Sequence, residues 1–93
     1  MDQTVEQQKR IMGIDFGTTR IGISLSDPLQ IIAKPFSTIE NGRGMIGQIL
    51  ETIRDENVGL IVVGMPLNLK GEKGKKAQEV EGFIGKIRNA THV

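Results

Sequence analysis

The sequence predicts an α/β fold: a mixed four-stranded sheet in the spatial order 3-2-1-4 with two helices. Three observations predict it. Two short strand-like runs, "RIMGIDF" and "RIGISLS", are separated only by "GTT", a loop short enough for an antiparallel hairpin. A third run, "IIAKPFSTI", contains Pro35, which cannot donate to a ladder and so marks a sheet edge. A fourth run, "GLIVVGMP", is continuously apolar between turn signals, as suits a parallel strand buried on both faces.

The elements follow in order. Residues 1–9 are polar with no apolar period and read as a loose lead-in; residues 10–93 hold everything with a pattern. The first strand, Arg10–Phe16, is short and apolar and ends at Gly17. The second, Arg20–Ser26, alternates: Ile21, Ile23 and Leu25 point one way, Gly22, Ser24 and Ser26 the other. Asp27-Pro28 marks a turn, and the third strand spans Ile31–Ile39. "GRGMIGQILETIRDEN" is a helix by the spacing of Ile46, Ile49, Leu50 and Ile53. The fourth strand, Gly59–Pro66, leads into a Gly- and Lys-rich loop. A second helix then places Ala77, Val80, Phe83, Ile84 and Ile87 on one side. A crossover helix carries the chain from the edge strand to the far side of the first strand. The fourth strand then runs parallel to the first and leaves one edge open, so self-association through that edge, or disorder near the C-terminus, is expected. A fifth strand is missing or only begun at Val93, and the sequence reads as cut off.

Composition narrows the function. The chain has 93 residues, no cysteine, no Trp or Tyr and three Phe. Disulfides and thiolate metal sites are excluded, and an aromatic platform for stacking bases is disfavoured. The net charge of +1 leaves only local patches to speak for nucleic acid. No apolar run approaches a membrane span and the N-terminus lacks a secretory pattern, so a cytoplasmic protein is expected.

Asp15 is the main candidate for chemistry. It lies at the carboxyl end of the first strand, beside the parallel end Gly64-Met65-Pro66, where open α/β sheets bind ligands. A carboxylate there can ligate Mg²⁺ or merely cap the hairpin turn through the Gly17 or Thr18 amides. Gly17, Thr18 and Arg20 can contact phosphate; equally, Gly17 can serve a plain turn by taking a positive φ. Lys70, Lys73, Lys75 and Lys76 cluster at the same end, near the start of the second helix, where phosphate is also attracted. Asp27 belongs to the far end of the hairpin, about 20 Å from Asp15 at roughly 3.3 Å per residue. It reads as a turn residue. Glu40 and Glu72 leave the correct end but sit in polar loops.

"RIMGIDFGTTRIGISLSDP", "STIE" and "LIVVGMPLNLKGEKGKKAQEVEGFIGKI" together resemble the YqgF family, over about Arg10 to Ile87. These are small bacterial proteins with an RNase H-like fold, described as Holliday junction resolvases and as pre-16S rRNA nucleases. The resemblance implies that Asp15 is the first catalytic acid and a ligand for Mg²⁺ or Mn²⁺. It implies nucleic acid, structured RNA or branched DNA, as partner. Gly17, Thr18 and Arg20 match the hairpin pattern; Gly64, Pro66, Leu67 and Asn68 match the second motif; Thr19 stands where the family often has lysine. Family members continue into an acidic fifth strand and a further helix with a last acidic residue. Asp15 alone cannot hold the metals, so this chain is expected to be inactive as a nuclease in isolation. Two rival readings stand beside this one: an actin-like ATPase or sugar-kinase phosphate loop, which shares "DFGTT", and a non-catalytic RNA- or protein-binding module on the same scaffold.

Overall fold

The computed structural model describes residues 9–66, 70–72 and 74–93. The elements are β1 (Arg10–Phe16), β2 (Arg20–Ser26), β3 (Ala33–Glu40), α1 (Met45–Asp55), β4 (Val58–Val63) and α2 (Lys75–Ala90). They form one sheet in the order β3-β2-β1-β4, as expected from the sequence. β1 is antiparallel to β2 and parallel to β4. Most of the polar lead-in, residues 1–8, lies outside the described residues. Its last residue, Lys9, is tied down: its carbonyl accepts a hydrogen bond from Gln30 Nε2 at 2.9 Å. Val93, the candidate start of a fifth strand, is in no strand.

Alternation along the strands decides which side is buried. Met12, Ile14, Ile21, Ile23, Leu25 and Ile39 point to one face. Met45, Ile49 and Ile53 of α1 and Phe83 and Ile87 of α2 cover it. Met12, Ile21, Ile49 and Val80 are fully enclosed, each contributing about 1.5–3 kcal/mol of burial. The opposite face carries Gly13, Asp15, Gly22 and Ser24 and has no helix over it among the described residues.

That one-sided core corrects the expectation for β4. Leu60 and Val62 are 51% and 53% exposed, while Ile61 and Val63 pack against the core. The apolar run suggested cover on both faces. Both helices lie on the same side, so alternate β4 side chains meet the open face. Asp15 lies on that open face and is exposed.

The edge reading of Pro35 holds, with a refinement. Ser24 pairs with Pro35 and Ile23 with Ser37, so Phe36 is the extra residue of a bulge. β3 begins two residues later than expected, because Ile31 and Ile32 are held in the preceding loop. Their amides, with that of Leu29, bond to the Asp27 carboxylate at 2.6–3.0 Å. α1 is shorter than its pattern. Gly44 precedes it in the left-handed region (φ 88°), and Asn57 leaves it there as well (φ 55°), a common role for asparagine after a helix.

Candidate functional site

The site is built where β1, β4 and α2 meet. Gly64 N donates to the Ile14 carbonyl at 3.1 Å, which draws the end of β4 against the end of β1. The hairpin loop of residues 17–19 closes the same end. Its register puts Asp15 opposite Gly22 and Phe16 opposite Ile21. Gly17 does not take a positive φ; that reading is corrected. A side chain there would run into the Arg20 carbonyl oxygen, so glycine is required by close approach.

α2 completes the wall. Val80, Phe83 and Ile87 form its buried stripe, and Phe83 stacks on Phe16 with ring centroids 4.7 Å apart. The stripe begins at buried Ala77, and next to it, one turn before Val80, stands Lys76. Its ammonium reaches the hairpin, donating to Thr18 Oγ1 at 3.1 Å. Asp15, Phe16, Gly64, Met65, Pro66 and Lys76 line a cleft of about 280 Å³.

Asp15 carries no side-chain hydrogen bond or ion pair within the described residues, so it does not cap the turn. On its other side lies a shallow trough across the open sheet face, walled by Gly13, Gly22, Ser24, Thr38 and Val62. The small residues of this trough went unassigned in the sequence, although the Gly22–Ser24 alternation already pointed them away from the core. The Thr18–Lys76 bond joins positions 58 apart, and no local pattern signals it.

The other candidates separate. Asp27 sits at the far end of β2 as the organiser of its loop. The Ile32 amide is the largest influence holding its carboxyl below the usual aspartate value; desolvation opposes this, and the Ile31 and Leu29 amides add to it. Arg20 is exposed at the start of β2, opposite Glu40 of β3. Lys70 and Lys75 are exposed, and neither lines the Asp15 cleft. Lys73, and Leu67 and Asn68 of the second motif, lie outside the described residues.

Asp15 fits one position in a divalent-metal site. A hard, acceptor-only oxygen with no competing protein donor suits an ion that keeps most of its waters. Two metals clamping a phosphodiester need several such ligands. Among the described residues no three His, Cys, Asp or Glu side chains converge. The donor set therefore fits a single ligand, not a complete site. No helix among the described residues is long and apolar enough to cross a membrane.

Comparison with known proteins places this geometry in context. A family model described as RuvX, Holliday junction resolvase, matches residues 9–93. A protein of Chlorobaculum tepidum named "Putative pre-16S rRNA nuclease" is 42% identical over 88% of this chain and 57% of its own length. Proteins of the same name from Endomicrobium trichonymphae and a Sulfurihydrogenibium species are 46% and 38% identical, over 85% and 86% of this chain and 58% and 55% of their own. The chain thus spans a little over half the length of these relatives. The family match is to the nuclease-type group resembled in the sequence rather than to an ATPase or sugar kinase.

Proposed function

The chain belongs to the RuvX family of Holliday junction resolvases, and from that premise we propose that it supplies the first metal-ligating carboxylate of a phosphodiester-cleaving site. The observation that carries this reading is Asp15: exposed, without a partner among the described residues, at the adjoining ends of parallel β1 and β4, with a lysine lining the same cleft. Asp15 would hold one face of a Mg²⁺ or Mn²⁺ ion, and when bound such an ion supplies an activated water and charge neutralisation. No further step is assigned to these residues, because one carboxylate does not make the complete site.

The substrates on this reading are those the family and its relatives are named for: precursor 16S rRNA or a four-way DNA junction. Gly17, Thr18 and Arg20 of the hairpin, with Lys70, Lys73, Lys75 and Lys76, provide phosphate contacts. Binding is electrostatic and weakens as salt rises. A cytoplasmic setting follows from such substrates. The outer edge of β4, which pairs with no strand among the described residues, is open to a second copy.

The test is to incubate the 93-residue polypeptide with Mn²⁺ and either structured precursor rRNA or a branched DNA. Salt-sensitive binding without cleavage is expected. Cleavage abolished by Asp15→Asn would show that the site is complete and overturn the single-ligand account. Thermal stabilisation by ATP, with no nucleic-acid binding, would overturn the phosphodiester reading itself.

A further inference from the structure

The buried stripe of α2 runs through Ala77, Val80, Phe83 and Ile87, and Lys76 stands at its start, one turn before Val80. The lysine is half-buried. A cation in the first turn of a helix opposes the dipole. Its ammonium meets a neutral hydroxyl, Thr18 Oγ1, at 3.1 Å. It forms no ion pair within the described residues, although Asp15 lines the same cleft. The cleft thus holds a carboxylate and an ammonium that are not paired with each other, the ammonium bonded instead to Thr18.

We infer that Lys76, braced by Thr18, is the residue that contacts the phosphate of a nucleic-acid strand at Asp15, distinct from the peripheral lysines that give general affinity. The inference rests on the phosphodiester reading above. The ammonium keeps donors in reserve after bonding to Thr18, since it carries three. One of them can meet a non-bridging phosphate oxygen while the hydroxyl keeps the side chain in place.

The experiment is an amide NMR titration of the 93-residue chain with a single-stranded RNA and with DNA of the same sequence. Affinity is measured at several salt concentrations. In the parent chain both strands shift the Asp15 and Thr18 amides. Lys76→Met is expected to abolish those shifts and to lower the salt slope by about 0.7, the value for one phosphate contact on a single strand. Lys76→Arg restores the slope. Thr18→Val reduces the Asp15 shift and Thr18→Ser recovers it. Lys86→Met, which removes an equal charge further along α2, leaves the response unchanged. A Lys76→Met chain that binds and shifts Asp15 like the parent overturns the inference and leaves the phosphodiester reading standing. A parent chain that binds neither strand at low salt overturns that reading and the inference with it.

Discussion

Asp15 and Asp27 flank the same hairpin at opposite ends, and their amide surroundings give them different roles. Asp27 accepts from three backbone amides, which fixes the loop before β3. Those bonds favour its charged form, so its folded carboxyl titrates below the ordinary value. The sign follows from linkage: its stabilisation is complete above the ordinary aspartate pKa and is lost as pH falls through the lower folded value. Hydrogen-exchange protection at Leu29, Ile31 and Ile32, taken relative to the intrinsic rate at each pH, should fall on acidification below the ordinary aspartate range. Asp27→Ala should show the same low protection already at neutral pH. Asp15 has no such partners, so Asp15→Asn is expected to change stability by less than about 0.5 kcal/mol in urea unfolding. A loss of about 1 kcal/mol or more would mean that Asp15 is a structural cap. The sequence left the metal and cap readings of Asp15 open, because both use a carboxylate next to glycine and threonine. Only the position of its oxygens relative to the loop amides separates them.

At the level of elements, the hairpin and the one-sided sheet set the geometry of the site. Gly17→Ala would drive a methyl group into the Arg20 carbonyl, and a backbone atom cannot step aside cheaply. It should cost about 1–3 kcal/mol. Gly13→Ala meets only the Ser24 hydroxyl, a side-chain atom that can rotate away, and should cost less. Ile49→Ala in the core of α1 should cost about 2–5 kcal/mol. Val62→Ala on the open face should stay within about 0.5 kcal/mol. Paired urea curves check both contrasts. Strand order and helix faces were legible in the sequence because they rest on local patterns: the short hairpin, Pro35 and the spacing of Ile49 and Ile53. The exposed face of β4 was not. An apolar run says that a strand can be buried, and whether it is depends on where the helices go. The chain length between positions 18 and 76 likewise hid the Thr18–Lys76 bond.

Across the whole molecule, a net charge of +1 gives no general attraction to nucleic acid, so the proposed affinity rests on local cations such as Lys76, at the end of the sheet that holds the hairpin and the start of α2. The family match covers residues 9–93, while the chain spans a little over half the length of the relatives compared. Within the described residues the cleft holds one carboxylate, Asp15, and one ammonium, Lys76. That arrangement can receive a strand and one face of a metal ion. The open edge of β4 should make light scattering report concentration-dependent association, with β4 amides gaining protection as it proceeds. A monomer at all concentrations would contradict that proposal. The most direct measurement of the central claim is paramagnetic broadening by Mn²⁺ in the isotope-labelled chain. The account predicts that amides of Asp15, Phe16 and Gly64 broaden first and that Asp15→Asn removes the effect. Broadening centred on Asp27, or unaltered by Asp15→Asn, would contradict it.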